Sequence, residues 1–439
     1  MMLSGWGRFP HADCRMVAPR DEAGLRAALL CEPSVIVRGN GRSYGDSAMN
    51  PKATFSLRQA DRFKSFDPVT GLLDAEAGVL LPDIIETFLP RGWFIPVTPG
   101  TKFVTLGGMI AADVHGKNHH GAGSFGDHIQ SLELMLADGQ VLYCSNDENR
   151  ELFDATRGGM GLTGVIRSAV IRMHKVESAY IRQETIRTRD LAETMEAFEQ
   201  SRGWTYAVAW IDSLARGRKL GRCVLYRGEH ARTDELPTLK RSRPLAVAPR
   251  RAKTVPFDFP RLTLNRWTVW GFNALYYAVA RPGTTIIDYD TYFYPLDAIA
   301  DWNRIYGRAG FLQYQFVLPT AASAQGLTEI MTRVARAGTA SFLSVLKLLG
   351  RGRGMLSFPM EGYTLALDFP ATPETFMLLT ELDAVVEAHG GRIYLAKDAR
   401  MGAAMLQQGY GELEAFKALR HSADPAGKFK SLQSERLGL

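Results

Sequence analysis

Cysteine is scarce: the 439-residue chain holds 4, at Cys14, Cys31, Cys144 and Cys223, with no CxxC pair among them. Thiols so far apart exclude a disulfide framework and a cysteine zinc site, and they read as reduced side chains. No stretch reaches the ~18 consecutive apolar residues that a membrane-spanning helix needs. The opening residues, MMLSGWGRFPHADCRM, lack the apolar centre of a secretory leader, so no cleaved signal peptide is expected. A large charge excess is missing too, since 52 Lys and Arg face 46 Asp and Glu, a net +6. No basic stripe alternates with aromatics, which argues against nucleic acid as a partner. Repeats and low-complexity tracts are absent. What remains is a globular chain long enough for two or three domains, expected in the cytoplasm and at most peripheral at the inner membrane.

Glycine, at 42 residues, is plentiful, which suits tight turns and places where main chain lies against a ligand. The positive surplus sits in one Pro-rich segment, 239–261. There Lys240, Arg241, Arg243, Arg250, Arg251, Lys253 and Arg261 meet a single acid, Asp258. Pro244, Pro249, Pro256 and Pro260 make it an irregular excursion. Two readings stay open, a solvated loop or a basic lid for a phosphate or an anionic membrane surface. The apolar run WGFNALYYAVA follows it.

Up to about residue 176 the pattern predicts short strands joined by Gly-rich turns. SVIVRGNG is an apolar run stopped by glycines, and SLELMLADGQVLYC reads as a hairpin turning at Asp138-Gly139. Asp21 is placed to cap a helix over AGLRAALLC, and Pro82 to start another over DIIETFLP. Beyond 176, helical periodicity over 190–202, 322–337 and 373–389 alternates with strands such as YAVAWID, RCVLY, DYDTYFYP, LQYQFVLP and TLALDF. Helices set apart from an antiparallel sheet predict an α+β fold. The expected divisions are a first domain over 1–176, a second over 177–391 and a closing segment, 392–439.

Three segments carry the chemistry. RGNGRSYGD, residues 38–46, directly follows a β run. Its glycines leave main-chain N–H groups unshielded, a nest suited to a diphosphate. It lacks the Rossmann pattern, because NPKATFSL after it reads as another strand and not a helix. The second segment is PGT at 99–101 with TLGGMIAADVHGKNHH at 105–120, where small residues would let the main chain lie flat on a planar ring. Its three histidines invite a metal reading, but Gly116 and Asn118 disfavour the helix that would bring His115 and His119 together, so no metal is expected. The third, GGMGLTGVI at 158–166, admits only small side chains.

Together these segments resemble the flavoproteins of the vanillyl-alcohol-oxidase type, with a PCMH-type FAD-binding domain, and within them the decaprenylphosphoryl-β-D-ribose 2-oxidase-like branch. The likeness runs from SGWGR through RGNGRSYGD, HGKNHHGAGSFGDH and GGMGLTG. It continues in YAVAWID, LQYQFVLP, SFLSVLKLLG and YLAKDAR, ending at DPAGKF, and so spans essentially the whole chain. It implies that Arg38, Gly39, Asn40, Gly41, Arg42, Ser43, Tyr44, Gly45, Asp46, Ser47 and Ala48 cradle the FAD pyrophosphate. Gly100, Thr105, Leu106, Gly107, Gly108, Ala112, Asp113, Val114 and His115 should line the ribityl chain and ring. Ile166 should meet the adenine end, and Tyr394 should reach back from the closing segment.

Where relatives carry a flavin-linking histidine this chain has Arg42, so the resemblance implies non-covalent FAD. The HWGK-like motif of lactone and alditol oxidases is also missing. The implied reaction is oxidation of the 2-hydroxyl of a ribofuranosyl polyprenyl phosphate to a ketone, with a partner short-chain reductase completing the epimerisation to an arabinan precursor. The alternative is an FAD enzyme acting on a soluble sugar, polyol or lactone. The resemblance makes Lys397 the catalytic lysine, with His115 the other proton-handling candidate, and puts Tyr44, Lys117, Gln313, Gln315 and Lys347 on the substrate side. Many relatives have a cysteine where this chain has Ala366.

Overall fold

The computed structural model describes residues 1–260, 263–339 and 343–439; Arg261 of the basic segment and Ser341 and Phe342 of SFLSVLKLLG lie outside them. Helix α1 (Glu22–Cys31) starts where the Asp21 carboxylate accepts the Gly24 amide, 2.8 Å away. Strand β1 (Ile36–Arg38) pairs in parallel with β2 (Thr54–Ser56), so the Gly-rich loop links two neighbouring parallel strands without a helix between them. Strands β3 (Phe63–Asp67) and β4 (Leu72–Glu76), helices α2 (Leu81–Phe88) and α3 (Leu106–Ala111), and strands β5 (Ile129–Met135), β6 (Val141–Ser145) and β7 (Val165–Arg172) follow. The five strands β3 to β7 form an antiparallel sheet ordered β6-β5-β7-β4-β3. The β5–β6 hairpin turns at Gly139, whose φ of 83° is what Asp138-Gly139 promised.

A second, wholly antiparallel sheet carries eight strands. They are β8 (Tyr180–Thr188), β9 (Tyr206–Ile211), β10 (Cys223–His230), β11 (Gly283–Asp288), β12 (Phe311–Pro319), β13 (Ser344–Leu349), β14 (Gly362–Pro370) and β15 (Arg392–Ile393), ordered β11-β8-β10-β9-β13-β14-β12-β15. Helices α4 (Leu191–Glu199), α5 (Arg266–Val279), α6 (Tyr289–Phe293), α7 (Thr320–Ala337) and α8 (Pro373–Ala388) connect them. The expected strand DYDTYFYP is a strand only to Asp288. There the Asp288 carboxylate accepts the Thr291 amide and hydroxyl at 2.8 and 2.7 Å, capping α6, and Tyr292 and Phe293 are buried from one helical turn. Local capping overrides the aromatic, strand-like composition.

Period-two alternation decides which face of this sheet is core. Leu312, Tyr314 and Phe316 of β12, Leu365, Leu367 and Phe369 of β14, and Leu346 and Leu348 of β13 pack with Leu327, Ile330 and Leu382 of α7 and α8. Each such side chain contributes about 2 kcal/mol by leaving water. The opposite face holds Gln313, Gln315, Thr364, Ala366, Asp368, Val345 and Lys347, cross-strand neighbours by register. The closing segment, with helices α9 (Leu413–Ala423) and α10 (Leu432–Leu437), returns to the first sheet's side of the molecule. Lys430 donates its amide to Val35, Leu432 to Met49, and Arg436 ion-pairs with Asp46 and Asp398.

Candidate active site

The Gly-rich loop leaves β1 with its donors free. Among the described residues, the amides of Asn40, Gly41, Arg42 and Ser43 meet no protein acceptor, and Tyr44 is the first to find one, Ala396 O at 3.0 Å. Gly41 has a φ of 63°, and a Cβ at Gly45 would collide with the Asp398 carbonyl, so the loop lies directly on the segment that carries Lys397. The Arg38 guanidinium turns inward to Ser4 O (2.7 Å) and Ala48 O (3.4 Å). Asp46 is committed to Arg436, 2.8 Å away. The side chains of those two therefore fix the loop, and the Arg38 main chain stays in the β1–β2 pairing, its carbonyl accepting the Leu57 amide at 3.4 Å. Ser47 is buried and Ala48 half-buried beside them. Arg42 lies over the Trp6 ring at 3.9 Å, its buried Nε unpartnered among the described residues, and burial pulls its pKa down. Asn40 holds Phe103 O at 2.8 Å.

The second segment forms the wall beside this loop. Thr105 Oγ1 accepts the Gly108 amide at 3.2 Å and caps α3, while Leu106 and Gly107 donate to Val79 O and Ala77 O. Gly39 abuts Thr105 so closely that a Cβ would clash with its hydroxyl; a Cβ on Gly100 would meet nothing within 4 Å. Asp113, at a φ of 39°, buries a carboxylate that accepts the Gly126 amide (2.9 Å) and the Ser357 hydroxyl, and burial raises it to about 6. The Tyr394 hydroxyl donates to Ala112 O at 2.8 Å, tying the closing segment to this wall. Val114 is half-buried, whereas Ile166 of β7 lies in the core opposite Leu134. A run of four free amides, an orphan guanidinium edge and a small-residue wall fit the diphosphate and ring of an FAD.

The polar sheet face supplies the rest. Lys397 follows β15 and sets its Nζ 3.7 Å from the centroid of the buried Tyr44 ring, with no carboxylate in ion-pair range among the described residues. Burial lowers it from 10.5 to about 7, helped by Lys347 and opposed by Asp368. Asp368 is fully buried, accepts Gln313 Nε2 (2.7 Å) and the Tyr306 hydroxyl (3.4 Å), and is pushed by burial to about 7. Burial, then Asp368, raises the Tyr44 phenol well above its ordinary value. Gln315 Nε2 donates to His115 Nε2 at 2.9 Å and to Thr364 Oγ1 at 3.2 Å. The His115 proton therefore sits on Nδ1, which is buried without a partner among the described residues. Burial, then Lys347, keeps the ring neutral. Phe358 stacks on Tyr394 at 4.7 Å and both flank His115.

Lys117 donates to Tyr292 O, lies 4.1 Å over the Tyr292 ring and falls to about 7 by burial. Lys347 falls to about 8 for the same reason. His119 spends both nitrogens, on Ser124 Oγ (3.1 Å) and on the Gly350 amide (3.0 Å), away from His115. Sequence reasoning missed Asp368, Thr364 and Tyr306. The first two were within reach, because TLALDF alternates Thr364, Ala366 and Asp368 onto one face, as LQYQF does with Gln313 and Gln315.

An FAD binding domain family matches residues 15–145. The decaprenylphosphoryl-beta-D-ribose oxidase of Mycolicibacterium smegmatis is 40% identical over all of this chain and 97% of its own length. A Streptomyces coelicolor relative, an uncharacterized protein in the mprA 5′ region, is 36% identical over 82% of this chain and 100% of its own. Among solved structures, wild-type BBE-like 1 of Physcomitrella patens superposes with a TM-score of 0.67 at 16% identity, covering 94% of this chain and 89% of that one. That likeness concerns the fold alone.

Proposed function

The chain belongs to the decaprenylphosphoryl-β-D-ribose oxidase family of FAD-binding oxidoreductases, and from that premise we propose the reaction its polar sheet face performs. It oxidises the 2-hydroxyl of a ribofuranose carried on a polyprenyl phosphate to the 2-ketone, the first half of an epimerisation to arabinose. The observation that carries this reading is Lys397 over Tyr44, an amine without an ion-pair partner among the described residues, set between the amide cradle and the polar strands. When bound, FAD is the hydride acceptor. Lys397 Nζ, held near neutrality, takes the hydroxyl proton. Neutral His115 donates through Nδ1 to an oxygen in the site. Gln313 and Gln315 orient Asp368 and His115; we assign Lys347 and Lys117 to the anionic part of the substrate, the latter with its ammonium held by Tyr292 O.

Arg42 has no nucleophilic ring nitrogen, so no flavin tether forms there and the cofactor is held non-covalently. Release of a ketone calls for a short-chain reductase as partner. We place the reaction at the cytoplasmic face of the inner membrane, with the protein peripheral to it; among the described residues no helix is long and apolar enough to cross a membrane. The test is anaerobic mixing of the yellow protein with a ribosyl polyprenyl phosphate. Bleaching of the flavin that Lys397→Ala abolishes without loss of colour supports the assignment. Bleaching at the normal rate in that variant removes Lys397 from its role, and no bleaching in the unaltered protein removes the substrate.

A further inference from the structure

Helix α5 is built the wrong way round for a soluble protein. Its apolar and small residues Trp267, Trp270, Gly271, Ala274, Leu275, Ala278 and Val279 recur at the spacing that ordinarily faces a core. Here that stripe faces outward, with Trp267 76%, Trp270 57%, Leu275 63% and Val279 61% exposed. The other side does the packing. Asn273 donates to the Asp212 carboxylate at 2.7 Å, the Tyr276 ring lies 4.6 Å from that of Trp210, and the Tyr277 hydroxyl donates to Thr188 O at 3.1 Å. Of the fourteen exposed large hydrophobic residues described, eight fall between Leu239 and Ile299.

Charge decides what covers the stripe. The helix contains no Asp or Glu. Arg243, Arg251 and Lys253 earlier in the chain, Arg266 at its first position and Arg281 just after it are exposed and make no ion pair among the described residues. Cations at both ends of a helix that exposes tryptophans, Arg266 lying over the Trp267 ring at 6.0 Å, match the interface of an anionic bilayer, where headgroups meet the cations and acyl chains meet the rings. We propose that the outward face of α5, with the basic residues flanking it, docks flat on an anionic phospholipid surface. This rests on the functional reading above, because a polyprenyl phosphate resides in a bilayer. The inner side of α5 packs on Trp210, which shares the site face with Val345 and Ala366 by register. Docking therefore holds the helix that packs on one end of the site face against the lipid surface.

The experiment is co-sedimentation of the FAD-loaded protein with vesicles, comparing phosphatidylcholine containing phosphatidylglycerol with phosphatidylcholine alone. The expected result is binding to the anionic vesicles, weakened by raised salt and by omission of phosphatidylglycerol. The triple variant Trp267→Ser, Trp270→Ser, Leu275→Ser should lose at least ~10-fold in partitioning. It should keep its yellow colour and its turnover of a detergent-dispersed short-chain substrate, which shows that the site is intact. The proposal is overturned if the unaltered protein stays in the supernatant, or if the triple variant binds equally well. It is also overturned if sedimentation shows the stripe buried by a second copy and no vesicle binding. Vesicle binding without substrate oxidation would sink the functional reading and leave the docking face standing; oxidation of dispersed substrate without vesicle binding would do the reverse.

Discussion

Lys397 and Asp368 each sit near neutrality for the same reason, removal from water, and each charge steadies the other. A lysine held at about 7 binds fewer protons folded than unfolded between pH 7 and its ordinary 10.5. Its burial therefore costs stability at neutral pH, and that cost fades as pH rises through this window. For catalysis the sign favours alkali: the free amine is populated above about pH 7, so kcat/KM should climb through neutrality and level off above it. Asp368→Asn removes the carboxylate that raises Lys397, so the rising limb should move to lower pH. A profile identical to the parent's would show that Asp368 does not act on Lys397. Ala366 carries its own prediction. It stands cross-strand from Gln315 on the site face without a thiol, so inhibitors that capture a cysteine there should be removed by dialysis. An intact-mass adduct in the site would contradict this.

The loop after β1 holds its donors outward only because glycine accepts its backbone. Gly41 needs a φ of 63°, which costs a side-chain-bearing residue about 1 kcal/mol or more, and a Cβ there would press on the Arg38 guanidinium that is anchored to Ser4 O. Gly41→Val should lower FAD affinity at least ~10-fold while the far-ultraviolet circular dichroism of the apoprotein stays unchanged; titration of apoprotein with FAD measures it. Elsewhere the elements followed their local signals. The Asp21-capped helix, the turn at Gly139 and the three long helices all stand where capping and periodicity put them. The stretch after Asp288 did not, because an aspartate cap outweighed β-rich aromatics.

The closing segment binds the two sheets into one machine. Arg436 reaches Asp46 of the Gly-rich loop and Asp398 beside Lys397, at 2.8 and 2.9 Å, and both carboxylates are buried. Taking the guanidinium away strands two buried negative charges. Arg436→Met should cost about 3 kcal/mol and lower the melting temperature of the FAD-loaded protein. Flavin affinity should fall with it, because Asp46 fixes the loop. A melting temperature equal to the parent's would mean that the network does not hold the segment in place.

Strand and helix periodicity and glycine placement carried the α+β class and the position of the Gly-rich loop between two strands, since those signals are short-range. No local signal could reveal that Asp46 would face inward to Arg436, 390 positions away, or that Asp368 would share a pocket with Lys397. Nor could spacing say that the apolar stripe of α5 faces outward. Burial, desolvation and ion pairing across distant segments exist only once the chain has closed on itself, and they set both the charge of Lys397 and Asp368 and the surface left exposed on α5.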